Sequence, residues 1–440
     1  MACLLAATAR ALAADDRLLV TVGEVGPTSA VLWARGPAGS ARVSLAPVGS
    51  PLAPAGDLTL DPARDQTGKI GLAELVPATR YAYRVSVQAR AIEGEFVTAP
   101  PPDRATSFTF AWSGDLGGGE FCRRVDVGYP IFRALAARRP DFFLFVGDTI
   151  YADRACSRAD QVPGGRFVAT TLPAFHAKHR YNRADEAVQA AFRAMPVYAI
   201  WDDHEVRNDF AGSTEPLMPP GRQAFFDYWP IVPPMDAPTR LHRSFRWGRL
   251  AEFFILDTRQ YRSPNTKSDG PDKTMLGSAQ REWLLRAVSG SDATWKVIVS
   301  SVSLSIPTGR RERRDSWSGA NVLGFPESGA GFAHERDAIL AALRERGIRN
   351  LVVLVADVHH AEIIRHQPHA GLALHELTAG PLSATLGSPR PLDTSLNPTS
   401  LWARGGLNNF GEVTVERERL VVRYVGEDGA VLTERVIQAE

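Results

Sequence analysis

Several absences narrow the possibilities. No apolar run approaches the roughly 20 residues that a membrane-spanning helix requires. Neither sign of charge prevails, since 50 Lys and Arg against 49 Asp and Glu leave a formal net charge of +1. That balance offers no bulk attraction to nucleic acid or to a membrane surface. Cysteine is scarce, with three in 440 residues. Hydrophobic residues at 44% and charged residues at 22% are the proportions of a soluble globular chain. The length allows about two to three domains.

The N-terminal stretch MACLLAATARALAADD has a short apolar region and a small-residue sequence like a cleavage site, but no basic segment ahead of it. It reads as a shortened export signal over residues 1–14, the other reading being an Ala-rich end. Cys3 would leave with that signal. Cys122 and Cys156 each follow the end of an apolar strand closely. They either pair across two loops, as an exported chain permits, or remain free thiols, and sequence spacing leaves both open.

From Arg17 to Pro101 the pattern is all-β: VTVGEV, SAVLWAR, ARVSLAP and YAYRVSVQAR alternate or run apolar between Gly, Pro and Ser clusters. The stretch Leu75 to Tyr83 resembles the corner of a fibronectin type III sandwich, in which the first tyrosine, here Tyr81, ties the loop through its hydroxyl. A small β-sandwich over 15–103 follows, closed by the Pro-rich Ala99 to Arg104.

Beyond it, over 104–440, the period changes. SFTFAWSGDLGGG is an apolar strand ending at Asp115, YPIFRALAARRP has helical spacing, and DFFLFVGDTIYAD is a second apolar strand ending at Asp148. Strand, helix, strand implies a parallel pair with a right-handed crossover. Helical segments around Ala174 to Tyr181 and Ala184 to Met195 precede VYAIWDDHEVRNDF, a short strand followed by Asp202, Asp203, His204, Glu205 and Asn208. A hairpin turns at Gly248, its second strand ending at Asp257. Thr294 to Leu304 is another buried strand. Ile306 to Gly331 is Arg-, Gly- and Ser-rich and reads as loop. NLVVLVADVHHAE again ends an apolar run in Asp357, His359 and His360, and the tail from Glu412 alternates as a closing hairpin. The expected fold is α/β, two faced sheet layers with helices outside.

Ligands of open α/β sheets bind beyond the carboxyl ends of the strands. Four such ends here carry Asp115, then Asp148 with Tyr151, then Asp203 with His204, then Asp357 with His359 and His360. One strand-end aspartate means little. Four together concentrate negative charge at a cost that cations must offset. Carboxylate, phenol and imidazole ligands suit Fe, Mn, Zn, Ca or Mg. Two ions roughly 3.5–4 Å apart would polarise a phosphoryl oxygen and activate water for in-line attack.

Asp115-Leu116-Gly117, Gly147-Asp148-Thr149-Ile150-Tyr151, Asp203-His204-Glu205 and Asp357-Val358-His359 resemble the ordered blocks of calcineurin-like metallophosphoesterases. The Gly-Asp-x-x-Tyr block is similar to that of purple acid phosphatases, whose tyrosine binds ferric iron. Trp-Asp-Asp-His-Glu, Ala-Asp-Val-His, the run Leu256 to Arg262 and Ala293 to Lys296 resemble the alkaline phosphatase D (PhoD-like) family, as does a β-sandwich in front. The resemblance implies a metallophosphoesterase four-layer sandwich and a dinuclear site. In it Asp148 bridges both metals, Asp115, Tyr151 and His359 complete an Fe³⁺ site, and Asp203 and Asp357 hold Ca²⁺ or another divalent ion. It also implies that His204 faces the scissile phosphate without binding metal, and that Asn208 hydrogen-bonds a phosphate oxygen. Two departures stand out. Some alkaline phosphatase D members have a cysteine ligand in the first block, where this chain has Asp115. Val299 to Ser303 stands where the usual valine-to-histidine block would be, which leaves the second site fewer protein ligands.

Each nominee has a plainer reading. Tyr151 could be core, His360 faces away from His359 and is structural, and Arg259 either contacts phosphate or pairs with Asp257 or another buried carboxylate. The run Arg310, Arg311, Arg313, Arg314 is a solvated loop or an attractor of anions. The sequence is therefore expected to encode an exported, monomeric, metal-dependent phosphomonoesterase or phosphodiesterase working through a metal-activated hydroxide. Its substrate would be a small-molecule or polymer phosphoester, with no nucleic-acid-specific surface. The alternative is a non-catalytic protein that binds phosphate or a glycopolymer on the same scaffold.

Overall fold

The computed structural model describes residues 17–440. The proposed signal over 1–14 and Cys3 lie outside the described residues. The first part of the chain forms two antiparallel sheets. One orders Leu19–Gly23, Ala30–Arg35 and Thr67–Leu72, and the other Ala53–Leu60, Gly39–Pro47, Arg80–Val87 and Arg90–Val97. At its corner the Tyr81 hydroxyl accepts a hydrogen bond from the Val76 backbone N–H at 2.9 Å, so the loop before that strand is tied as the sequence suggests.

Two mixed sheets follow. The first runs Val197–Ile200, Phe142–Val146, Phe108–Ser113, Asn409–Val415, Arg419–Gly426, Val431–Gln438. Its first three strands are parallel and the rest antiparallel. The second runs Arg243–Trp247, Ala251–Ile255, Trp295–Val299, Leu351–Val355, Leu372–Thr378, Ala361–His369, Pro398–Arg404. Its centre is parallel and its two edges are antiparallel. Phe142–Val146 and Leu351–Val355 are buried at every position, as continuous apolar runs in parallel strands must be.

Aromatic rings fill the space between the sheets. Phe142 and Phe110 meet Phe253 edge-on at 5.4 and 5.2 Å, and Tyr198 stacks on Phe245 at 3.9 Å. Ile131–Arg138 and Glu186–Ala194 cover the outer face of the first sheet, Phe132 against Phe192. Gly277–Gly290 and Ala333–Glu345 cover the second through Leu284, Val288, Leu340 and Leu343. This is the layered arrangement the period changes imply.

The sequence reading passes over one helix, Met218–Tyr228. Its first turn is Met-Pro-Pro-Gly, which reads as a turn, yet proline is tolerated in a first helical turn because those N–H groups have no partner anyway. The small sandwich packs tightly on the rest. A Cβ on Gly23 would lie 2.3 Å from the Val197 carbonyl, Trp33 donates its indole N–H to the Asp227 carbonyl at 2.6 Å, and Tyr198 donates to the Val25 carbonyl at 2.6 Å. No helix among the described residues is long and apolar enough to cross a membrane.

Candidate metal centre

Leaving a buried parallel strand forces a sharp turn, and here the turning residues are the candidate ligands themselves. Asp115, Asp148, Asp357 and His359 have φ of 66°, 50°, 62° and 60°. Left-handed backbone is uncommon outside glycine and persists where the surroundings over-determine it, characteristically at functional sites. Two glycines make the close approach possible. A Cβ on Gly147 would fall 2.6 Å from the Asp202 Cβ, and one on Gly118 would fall 2.6 Å from the Tyr151 ring.

The turns bring donor atoms together in three groups, each with its atoms within 4.8 Å of one another: Asp115, Asp148 and His359; Asp148, Asp203 and His204; and Asp203, Asp209 and Asp315. Asp148 belongs to the first two, so it stands between them. Asp209 and Asp315 are additions that sequence reading misses. Asp315 lies deep in the Arg-rich loop, and Asp209 sits in the turn after the strand-end cluster with no pattern to single it out. Asp357 is in none of the groups, yet its carboxyl is pushed well above the usual range by burial and by Asp202, Asp315 and Asp203.

Tyr151 lies over the first group, its hydroxyl 3.2 Å from His359 Nε2. His359 Nε2 is 3.6 Å from Asp115 Oδ1, while Nδ1 faces the Thr385 carbonyl. Burial and the Asp148, Asp115 and Asp203 carboxylates hold the Tyr151 phenol well above its ordinary pKa. His204 stacks on Tyr151 at 4.1 Å. Its backbone N–H donates to Asp148 Oδ1 at 3.1 Å, and its Nδ1 lies 2.6 Å from Asp153 Oδ1. Burial works against charge on His204, but Asp203 and Asp153 outweigh it and raise its pKa to about 9. Asn208 is exposed, and its backbone N–H, at 3.0 Å, braces the other Asp153 oxygen. Asp153 is thus the positioning residue for His204. Its only sequence signal is an aspartate two residues past Tyr151.

Behind the ligands lies support. Glu205 accepts from the Thr149 N–H at 2.6 Å and the Asp202 N–H at 2.9 Å, which ties two strand ends together. Arg259 corrects the reading of it as a phosphate contact. It is fully buried and forks Asp202 at 2.7 and 2.9 Å and Asp315 at 2.8 and 2.7 Å. Its guanidinium is spent on these two carboxylates, with one longer bond to the Phe210 carbonyl at 3.5 Å, while Asp257 accepts from the Arg259 backbone N–H at 3.0 Å and from the Trp201 indole at 3.0 Å. His360 is buried and bonds Glu362 at 3.0 Å, away from the site.

The donor set fits metal ions. Both oxygens of Asp115, Oδ1 of Asp203 and Oδ2 of Asp357 are enclosed with no hydrogen-bond partner. Such groups are costly unless paired or bound to a cation. Burial and neighbouring carboxylates push the Asp115 and Asp148 carboxyls well above the usual range, as expected where the compensating charge must come from outside the chain. Cys122 and Cys156 form a disulfide with Cα atoms 5.8 Å apart. It joins the loops that follow Asp115 and Asp148, which resolves the alternative left open by the spacing.

The profile of the PhoD-like phosphatase family matches residues 117–423. Alkaline phosphatase D of Bacillus subtilis (strain 168) is 27% identical over 295 residues, covering 60% of this chain and 48% of that protein. The chain thus aligns with about half the length of this curated relative. Among solved structures, that of PhoD superposes with a TM-score of 0.77 at 20% identity, over 96% of this chain and 88% of the other. A purple acid phosphatase, PPD1 from yellow lupin seeds, superposes with a TM-score of 0.66 at 14% identity, over 96% and 74%. These two superpositions establish the layered mixed-sheet fold. With the family profile spanning most of the sequence, the chain belongs to the PhoD-like phosphatase family.

Proposed function

We propose that this chain hydrolyses phosphoesters with two metal ions held at its strand ends. Asp148 carries the reading: it is shared by two ligand groups and sits at 1% exposure among carboxylates that repel one another. In this reading Asp148 would be shared by both ions, Asp115, Tyr151 and His359 would help to hold one, and Asp203 and Asp357 would help to hold the other. The phenol favours Fe³⁺ at the first position, and the all-oxygen set favours Ca²⁺ or another hard divalent ion at the second. When bound, the ions supply Lewis acidity toward phosphoryl oxygens and toward water.

The protein's own work is to orient the ester and move a proton. With Nδ1 tied to Asp153, His204 presents Nε2 as its free donor. There it can hydrogen-bond a phosphoryl oxygen or protonate the departing alcohol oxygen. Stacking on Tyr151 and the backbone bond to Asp148 keep the ring in place. The exposed Asn208 side chain, one turn along, is the candidate second contact to phosphate.

Export to a periplasmic or extracellular location is supported by the Cys122–Cys156 disulfide, since such bonds persist in oxidising compartments. The N-terminal β-sandwich over 15–103 is read as a fibronectin-like packing module on the strength of the Tyr81 tie. The candidate ligands all lie on this chain, so the proposed centre needs no residue from a second copy.

Elemental analysis of the purified protein, with a panel of monoesters and diesters, tests the proposal. Two metals per chain, and a visible phenolate-to-iron band that disappears in Tyr151→Phe, are the expected results. An active, colourless, iron-free protein would overturn the Fe³⁺ assignment. A protein that takes up no metal and cleaves neither ester class would leave only phosphate or glycopolymer binding.

A further inference from the structure

The arginines of the loop over 306–331 do not behave as one solvated run. Arg311 pairs with Glu327 at 3.0 Å. Arg314 is buried and holds the hairpin by donating to the Gly309 carbonyl at 3.0 Å. Like Arg310, Arg313 is exposed on the short hairpin Gly309–Arg310 with Arg313–Arg314. It stands two residues before Asp315, whose carboxylate lies with those of Asp203 and Asp209. Arg313 is therefore tied by the chain itself to the edge of the candidate metal centre.

Two other loops deliver an arginine to the same mouth. Arg154 is exposed and follows Asp153, the residue that holds His204. Its backbone is pinned from both sides, its N–H donating to the Tyr151 carbonyl at 3.4 Å and its carbonyl accepting from Lys178 at 2.5 Å. Arg390 is exposed three residues after Gly387, whose N–H donates to the His359 carbonyl at 2.8 Å. Its guanidinium makes one bond, to the Pro307 carbonyl at 3.4 Å. Among the described residues none of the three has a carboxylate within ion-pair distance. Their charges nonetheless reach the site: Arg154 acts on His204 and Asp153, Arg313 on Asp209, and Arg390 on His359.

Three guanidinium groups without a carboxylate partner thus stand on loops that adjoin the residues of the candidate metal centre. Arginine meets phosphate or carboxylate with a planar fork, and exposed charges at a cleft mouth act at a distance on an arriving anion. Being outside the ligand shell, these arginines would meet charge elsewhere on the substrate. We infer that Arg154, Arg313 and Arg390 form a specificity rim that selects phosphoesters whose alcohol portion carries a second anionic group. The inference rests on the phosphoesterase reading above.

Matched substrates that differ only in a remote phosphate test it. Thymidine 5′-(4-nitrophenyl phosphate) with and without a 3′-phosphate serves for diester cleavage, and thymidine 5′-monophosphate with and without a 3′-phosphate for monoester cleavage. At low ionic strength the wild-type protein is expected to favour the 3′-phosphorylated member by about tenfold in kcat/KM, expressed mainly in KM, with the preference shrinking as salt is added. The combined Arg154→Gln, Arg313→Gln, Arg390→Gln variant should bring the ratio close to one. Each single variant should lose about two- to threefold of it, and lysine at the same positions should retain most of it. Equal efficiency on both members in the wild type, or a preference that survives the triple variant, overturns the rim alone. No hydrolysis of any of the four compounds by the metal-loaded protein overturns the phosphoesterase reading and the rim with it.

Discussion

Asp202 and Asp315 are as deeply enclosed as Asp115 and Asp148, all four at 1% exposure, although Asp315 comes from the Arg-rich loop and the other three from strand ends. Their surroundings are opposite. Arg259 forks both members of the first pair. Arg262 and Asn265 each add a bond to Asp315 at 2.8 Å, and Ser301 adds one to Asp202 at 2.5 Å. Although burial pushes the Asp315 carboxyl up, Arg259 and Arg262 hold it well below the usual range, whereas burial keeps the Asp202 carboxyl raised, opposed by Arg259 and reinforced by Asp203. Asp115 has no hydrogen-bond donor on either oxygen, and burial with the Asp202 and Asp203 charges raises its carboxyl against the opposing influence of His204. Where the fold keeps a carboxylate for structure it supplies the cation from its own sequence. Where it leaves the cation out, the carboxylate is arranged for an ion that arrives from solution.

That contrast is broken most severely at Asp148. Asp148→Asn removes the charge shared by the two ligand groups and should lower turnover by at least about 10³-fold, the scale of losing a preorganised electrostatic group. The same substitution removes one of several mutually repelling buried charges, so the metal-free variant should melt at a higher temperature than the metal-free wild type. Function and stability move in opposite directions at such sites. Turnover near the wild-type level, or a metal-free variant that is less stable, would show that Asp148 belongs with the internally neutralised pair.

Arg259 tests the other half. Arg259→Met keeps most of the volume but strands Asp202 and Asp315 as buried, uncompensated charges, an event worth about 3–5 kcal/mol of destabilisation. Denaturant or thermal unfolding should register a loss on that scale. Adding Asp202→Asn and Asp315→Asn to it should recover a large part, because the two ends of a broken ion pair are not additive. A single variant that unfolds like the wild type would mean that the cluster is solvated rather than sealed.

The two clusters are not equally legible in the sequence. Asp115, Asp148, Asp203 and Asp357 each end an apolar run of strand type, so period and polarity together point to them, and the positions of Tyr151 and His359 follow from the same turns. Asp153, Asp209 and Asp315 carry no such flag. Asp315 meets Arg259 across 56 residues of chain, a contact set by the packing of a loop that has almost no regular structure. Arg259 is left open between phosphate and a buried carboxylate for the same reason. An arginine close to a strand end looks alike from sequence whether it faces solvent or carboxylates, and its full burial is a property of the assembled sheets. The layer order is legible because continuous apolar strands alternate with amphipathic helices. The Met218–Tyr228 helix is hidden by the two prolines in its first turn.

The comparison of satisfied and unsatisfied buried charge extends, with a smaller effect, to two histidines on the Leu172–Arg183 helix that packs beneath the N-terminal sandwich. His176 Nε2 lies 2.9 Å from Asp227 Oδ2. His179, one turn later, is at 1% exposure, is stacked on Tyr228 at 5.1 Å, and has no partner on Nε2. Burial, with the His176 and Arg183 charges, drives its pKa well below 6.5. The folded chain therefore keeps His179 neutral at a pH where the unfolded chain takes up a proton. Its contribution is whole above about pH 6.5 and is lost as pH falls from there toward the depressed folded value, by up to about 1.4 kcal/mol per pH unit. The raised Asp115 and Asp148 carboxyls act in the opposite sense in metal-free protein, since the folded state binds their protons more readily, so the measurement is the difference between two chains. His179→Leu, which fills similar space without titrating, should flatten the acid side of the melting-temperature profile between about pH 6.5 and 5 relative to the wild type. Parallel profiles for the two proteins would mean that His179 finds a proton acceptor in solution and belongs with His176.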